Sequence, residues 1–474
     1  MSNQPQTSPN IPEPKNWTEI FVPTGFPKHN FVDRDTYAAK VDEFLLQPGY
    51  DVLALSGLSR TGKTTLLTQR FRAHNLPSLW FSGGQIETID QFMDRLREML
   101  RLRDKQLKKI VSGEVEINPL GLLSRLFGLL RIGRATEVSE NDDVELIDIL
   151  RELNGKVVVI DDFHRIPEEV RSRIMAFVKY LIELPDKLKN EVIDFRFILV
   201  FIPNTDTIFH ALFKDLKTRI QWLELPLWQE DELLKITRGR LISEGKVLLG
   251  LRRLARESYG LPSMMQLLCR NYCRRYLSKT PPNEIVSVRD DQLESVFVET
   301  GTDLWGPYGD SVYRELVALN GGGRSRPEAA EKFESKVDRR TGDLYQMIWY
   351  IVSLAGVPES QREGLLGLRL DNRLEISLET INQRLERLTN FPAGQIDHLS
   401  KCLTFLSDET RMSYPARIRR EVETHADEDR ANTHLNDPLF EYVDETLVIF
   451  DPAILIALAH APKHKAKFSF PTNS

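Results

Sequence analysis

The chain is poor in cysteine, with 3 in 474 residues, too few for a disulfide framework. Two of them, Cys269 and Cys273, stand four apart with no matching His or Cys cluster, and Cys402 is alone. That makes a poor zinc site, and a reducing, cytoplasmic setting is the expectation. Long apolar runs are also missing. No window approaches the roughly eighteen uninterrupted apolar residues of a membrane span, and the mean hydropathy of −0.32 agrees. Nearest is LLSRLFGLLRI at 122–132, which two arginines interrupt. An excess of one charge is lacking too, because 63 basic against 69 acidic residues leave −6. No global positive field therefore draws the chain to nucleic acid or an anionic membrane, and only local basic faces remain open. The opening MSNQPQTSPNIPEPKNW has neither the basic start nor the apolar stretch of a secretory signal, and 1–18 reads as a disordered tail.

What is present is an ordinary globular balance, 41% hydrophobic and 28% charged, which excludes wholesale disorder. At roughly 150 residues per domain the length predicts about three units. From about residue 50 to 225, short β-rich runs alternate with helical patterns, the pattern of an α/β fold with a parallel sheet covered by helices. DVLALS (51–56), SLWF (78–81), KVVVIDD (156–162), FRFILVFI (195–202) and RIQWLEL (219–225) read as strands, and TIDQFMDRLREMLRL as an amphipathic helix. An insertion at about 100–145 interrupts the series and holds a basic helix, a glycine-and-leucine segment and an acidic stretch. Its length marks it as functional or disordered. These patterns divide the chain into an α/β core over 19–226, a helical lid over 227–300, a connecting segment over 301–343, and a last domain over 344–474. Within the lid, EDELLKITRGRLI, GKVLLGLRRLARESYG and LPSMMQLLCRNYCRRYL all carry helical leucine spacing. In the last domain, helices precede two strands around the turn near Asp444, which predicts a winged-helix domain.

Gly57, Leu58, Ser59, Arg60, Thr61, Gly62, Lys63 and Thr64 match GxxxxGK[ST] letter for letter, directly after an apolar strand and before a helical run that continues through Thr65. Glycines in such a loop let backbone N–H groups turn inward around phosphate oxygens, and the following helix N-terminus favours negative charge. Lys63 is expected on the β- and γ-phosphates of a nucleotide and Thr64 on Mg²⁺. Asp161 and Asp162 end the β-rich VVVI run, where a metal-shell acid leaves the sheet. Asp161 is expected on Mg²⁺; Asp162 either polarises the attacking water or is a second, structural acid. Asn204, after the FRFILVFI strand, could orient that water, and Arg219, before the last strand, could reach a nucleotide in its own or a neighbouring subunit. Loop asparagines and solvated arginines are the plainer readings of both.

With these residues placed, the chain resembles the STAND and AAA+ branch of P-loop ATPases, including the origin-recognition type. Phe31-Val32-Asp33-Arg34-Asp35 looks like the segment that precedes the phosphate loop in that branch. IDDFHRI (160–166) is similar to its Walker B block, and Tyr259-Gly260-Leu261-Pro262-Ser263 to its glycine-proline motif. The resemblance implies Phe31 and Arg34 near adenine, Pro262 as a nucleotide contact from the lid, and Asn204 as a sensor 1 residue. It also implies nucleotide-dependent switching with self-association or a separate effector protein, in roles such as bacterial signalling or antiviral defence. No arginine opens the helix after Pro262, which puts arginine sensing from the lid in doubt.

Three functions follow. The first is a Mg²⁺-dependent switch ATPase with slow hydrolysis. The second is a DNA-binding loader or transposition regulator using the basic faces of Arg252, Arg253, Arg256, Arg270, Arg274 and Arg275 or of Arg417, Arg419 and Arg420, for which solvated helix faces are the plainer reading. The third is a scaffold that holds nucleotide without turning it over. The segment 122–133 reads either as a helix packed on the core or as a docking helix.

Overall fold

The computed structural model describes residues 17–47, 51–100, 149–183, 194–202, 219–243, 247–249, 251–277, 285–287, 289–316, 332–336, 341–342, 344, 347–348, 375–404, 440–449 and 453. Residues 1–16 of the N-terminal tail, 101–145 of the insertion, Asn204, the 122–133 segment and the Arg417–Arg420 cluster lie outside them, whereas Trp17 and Thr18, expected within a disordered tail, open a short helix. The chain divides into two compact units. One comprises Asp35–Ser56 and Leu66–Glu224; the other comprises Met1–Arg34, Gly57–Thr65 and Leu225–Ser474.

The first unit is built on a five-stranded sheet. Its strands are β1 (Val52–Gly57), β2 (Ser78–Ser82), β3 (Val157–Asp161), β4 (Arg196–Phe201) and β5 (Ile220–Leu225), in the spatial order β2-β3-β4-β1-β5. All five expected strands form within two residues of the sequence reading. The pairs β2–β3, β3–β4 and β1–β4 are parallel, so the C-terminal ends of these strands share one edge. The inner strands β1 and β4 are buried at every residue, as expected of runs covered on both faces. Val158, Ile160, Phe197 and Leu199 are fully enclosed in one apolar cluster with Phe92, Leu96, Ile174 and Val178. Each such side chain contributes about 1.5–3 kcal/mol.

Helices α1 (Trp17–Ile20) and α2 (Asp35–Leu46) precede β1 in the chain, α3 (Lys63–His74) follows β1 and α4 (Ile89–Met99) follows β2. A capping box starts α4. Thr88 Oγ1 accepts from Gln91 N, while the Gln91 side chain accepts from Thr88 N, so two end donors are paired. Helix α5 (Glu168–Glu183) follows β3 and carries Ile174 and Val178 into the same cluster.

In the second unit, α6 (Glu230–Ser243), α7 (Leu251–Glu257), α8 (Pro262–Tyr272) and α9 (Asp290–Leu316) pack around Leu233, Leu254, Leu268, Tyr272, Val296 and Phe297. Two differences from the sequence reading stand out. Val247–Leu249, expected within a helix, is strand β6, paired in parallel with β7 (Ile285–Ser287). A partner strand far along the chain overrides leucine spacing over so short a stretch. Helix α9 also runs across residue 300, where a connecting segment was expected to begin.

Further along, short strands β8 (Phe333–Glu334) and β9 (Thr341–Gly342) pair, and Ser377 caps α10 (Leu378–Leu388) by accepting from Thr380 N. Strand β10 (Glu375–Ser377) joins the hairpin β11 (Phe440–Val443) and β12 (Thr446–Ile449) in a three-stranded antiparallel sheet. Asp444 and Glu445 make the hairpin turn with φ of 49° and 58°, the double left-handed pattern that matches strand twist. No helix among the described residues is long and apolar enough to cross a membrane.

Candidate functional site: the phosphate loop and the acidic turn

The loop after β1 is held in shape by its own groups. Thr61, 1% exposed, donates its hydroxyl to the Leu58 carbonyl at 2.9 Å, and its N–H turns toward the same oxygen at 3.4 Å. Lys63 opens α3 and folds back over the loop. Its Nζ donates to the Gly57 carbonyl at 2.7 Å and the Leu58 carbonyl at 2.9 Å. The ammonium is thereby fixed across the loop that its own backbone encloses. Gly57 has no room for a side chain, because a β-carbon there would stand 2.7 Å from the Leu225 carbonyl oxygen. Arg60 adopts φ 65° without being glycine, a conformation that costs free energy and that the surrounding bonds must enforce. Ser59 and Thr65 are half-buried and Thr64 is exposed.

Two other segments of the same unit meet this loop. Pro262, the first residue of α8, places its Cγ 3.8 Å from where a Gly62 β-carbon would stand, so the residue expected to contact nucleotide from the lid is at the loop. Trp228 donates its indole N–H to the Thr61 carbonyl at 2.9 Å. Sequence reasoning missed Trp228. The available signal was an aromatic donor two residues beyond Pro226, where the chain leaves β5. Arg34 is 7% exposed, lies with its guanidinium carbon 5.2 Å from the Trp228 ring centroid, and donates to Glu232 at 3.2 Å and to the Pro226 carbonyl at 2.8 Å. Phe31 stacks on Phe26, with ring centroids 5.7 Å apart.

In the other unit, Asp161 ends β3 and Asp162 follows in a left-handed turn with φ 52° and ψ 41°. The Asp162 N–H donates to Asp161 Oδ1 at 3.0 Å, and Arg165 NH1 lies 3.5 Å from Asp162 Oδ2. Phe163, fully buried, anchors the turn from below. Both carboxylates are half-exposed at the sheet edge where parallel strands end.

Arg219 is elsewhere. Its carbonyl accepts from the N–H groups of Asp51 and Val52 at the start of β1, and its guanidinium donates to the Ile182 carbonyl at 3.1 Å and sits 3.6 Å from Asp51 Oδ2. The phosphate loop follows the far end of β1, roughly 20 Å away at strand rise. Strand-end pairing occupies Arg219 here.

The basic faces are also answered by acids. Arg252 and Arg256 pair with Glu230 at 3.5 and 3.0 Å, Arg253 pairs with Glu294, and Arg274 and Arg275 both pair with Glu299. The three cysteines are buried and none is in a disulfide. No cluster of three or more His, Cys, Asp or Glu side chains able to hold a metal occurs among the described residues.

A parallel sheet in the order β2-β3-β4-β1-β5, with a glycine-rich loop between β1 and α3 and an acidic turn after β3, is a P-loop NTPase fold. No family model matches the chain, and no curated protein matches it. Among solved structures it is similar to a Walker-type ATPase of Pyrococcus abyssi, at 14% identity and TM-score 0.42, over 91% of this chain and 97% of that one. It is also similar to the Thermotoga maritima RuvB Holliday junction branch migration motor, at 15% identity and TM-score 0.35, over 62% of this chain and 80% of that one. Cdc6p from Pyrobaculum aerophilum resembles it at 11% identity and TM-score 0.38, over 96% and 98% of the two chains. The fold assignment rests on the sheet order and the loop of this chain itself.

Proposed function

We propose that the chain is a Mg²⁺-dependent ATPase of the switch type, which binds ATP at the loop 57–64. The observation that carries this reading is the Lys63 ammonium held over the Gly57 and Leu58 carbonyls, beside backbone donors at the start of the twelve-residue helix α3. A cation at that place, with the helix N-terminus behind it, favours a polyphosphate.

The Thr64 hydroxyl in the first turn of α3 and, in the other unit, the Asp161 carboxylate at the end of β3 are each a hard oxygen donor with solvent access, the chemistry that Mg²⁺ takes. Mg²⁺, when bound, would supply positive charge against the negative charge of a polyphosphate. Lys63 would hold the γ-phosphate in line, and Asp162 would accept a proton from the attacking water. Arg165 beside Asp162 fixes the direction of that carboxylate.

Pro262 and Trp228 bring residues beyond β5 to the loop, which supports a nucleotide state sensed by the helices α6–α8. That state would in turn govern self-association or engagement of a protein partner. The ion pairs on Arg252, Arg253, Arg256, Arg274 and Arg275 favour the switch reading over the DNA-loader reading.

The test is ATP binding and turnover by wild type and Lys63→Ala with and without Mg²⁺, with molecular mass followed throughout. Binding and slow turnover by wild type, both lost in Lys63→Ala, are expected. Equal ATP binding by the two proteins would sink the assignment.

A further inference from the structure

We infer that Trp228 is a positioning residue that sets the phosphate loop and links its occupancy to helix α8. The inference rests on the reading of the loop as a nucleotide site and adds a device that the loop motif does not contain.

The local geometry is specific. Thr61 is fixed from one side by its hydroxyl on the Leu58 carbonyl, and from the other by its own carbonyl, which accepts the Trp228 indole N–H. A trans peptide points its C=O and the next N–H in opposite directions. With the Thr61 carbonyl turned out toward Trp228, the Gly62 N–H of the same peptide is turned the other way, toward the hollow of the loop. The indole thus orients one of the donors that a phosphate would meet.

Both partners are buried, Thr61 at 1% and Trp228 at 9% exposure. An indole N–H in such a place cannot exchange its acceptor for water. A rotation of the 61–62 peptide on phosphate binding would therefore be felt at Trp228.

Trp228 also faces the other way. Its main-chain N–H donates to the Gly260 carbonyl at 2.9 Å, two residues before Pro262 begins α8. Pro262 itself returns to Gly62. The loop, the segment after β5 and the start of α8 therefore form a closed circuit through residues 61–62, 228 and 260–262. Arg34, stacked over the indole and bonded to Glu232 and the Pro226 carbonyl, braces the ring from the remaining side. Linkage makes such coupling reciprocal: if ATP tightens the Trp228–Gly260 contact, a loosened contact weakens ATP.

The experiment compares wild type, Lys63→Ala, Trp228→Phe, and protein carrying benzothienylalanine at 228. The last replaces the indole N–H by sulfur at nearly constant shape, so it serves if Trp228→Phe does not fold. Two quantities are read in each: affinity for ATP, and amide hydrogen exchange over 258–265 with and without ATP. Wild type should gain protection over 258–265 on adding ATP. The two Trp228 substitutions should bind ATP about tenfold more weakly and lose the ATP-dependent part of that protection. A purely structural role would lower protection equally with and without ATP, and that result overturns the inference. So does wild-type affinity with an intact ATP response in the substituted proteins. If wild type binds ATP no better than Lys63→Ala, the loop assignment itself fails, and this inference with it.

Discussion

A β-carbon on Gly83 would stand 2.1 Å from the carbonyl oxygen of Asp162 and 3.1 Å from that of Asp161. Gly83 directly follows β2, and the parallel pairing of β2 with β3 brings that end beside the acidic turn. The atoms it would strike are backbone, so Gly83→Ala must displace the turn that carries both candidate carboxylates. Such overpacking costs about 1–3 kcal/mol, readable as a shift in urea midpoint. Turnover should fall further than ATP affinity, because the loop 57–64 is untouched. Wild-type turnover by a folded Gly83→Ala protein would remove the acidic turn from catalysis.

The two acids make separable predictions. Asp161→Asn should raise the Mg²⁺ concentration needed for half-maximal ATP turnover, since it removes a charged ligand. Asp162→Asn should leave the Mg²⁺ dependence in place and lower turnover by about 10²–10⁴-fold, the usual worth of a placed general base. Titration of turnover against Mg²⁺ in both variants distinguishes the roles. An Asp162→Asn protein as active as wild type would make Asp162 a structural acid whose partner is Arg165.

Arg34 bridges Glu232 and the Pro226 carbonyl, with its side chain 6% exposed against 28% for Glu232. Hydrogen bonds from a charged group in such a place contribute about 1.5–3 kcal/mol. Arg34→Ala should therefore destabilise by about that amount, and a cycle with Glu232→Gln should show coupling between the two sites. Chemical unfolding of the four proteins measures it. If Arg34→Ala loses ATP affinity with stability intact, the adenine-side role that the resemblance implies is the better account.

The parts of this chain legible in its sequence are those whose reasons are local. The runs of β1 and β4 are apolar almost throughout because both strands are covered on both faces, and the loop 57–64 spells out its own backbone demands in Gly57, Gly62 and Lys63. What was not legible depends on distant partners. Val247–Leu249 is a strand because Ile285–Ser287 lies beside it. Trp228 matters because the Thr61 carbonyl is within reach, and nothing in the flanking PLW announces that. Arg219 adjoins a strand of the sheet, and its carbonyl pairs with Asp51 and Val52 at the start of β1. Strand direction decides which end of a parallel sheet a residue occupies, and the residue type does not.

Tyr272 supplies a pH prediction. It is fully buried on α8, and its hydroxyl lies 3.3 Å from Gln292 Oε1. Burial is the largest cause that raises its pKa from 10.0 to about 12, helped by Cys273 and Tyr276 and opposed by Arg289. The phenol in the folded chain thus stays protonated after the unfolded chain has begun to ionise. Between about pH 10 and about pH 12 the unfolded state binds fewer protons, so folding stability falls as pH rises through that window. The contribution is fully present below about pH 10 and amounts to at most about 3 kcal/mol. Tyr272→Phe should flatten the alkaline limb by that share. Burial also pushes the Cys269 thiol up, but that contribution is common to both proteins and cancels in their difference. Urea unfolding of wild type and Tyr272→Phe from about pH 9 to about pH 11 measures the difference. Parallel limbs would show that Tyr272 ionises alike in the folded and unfolded chain.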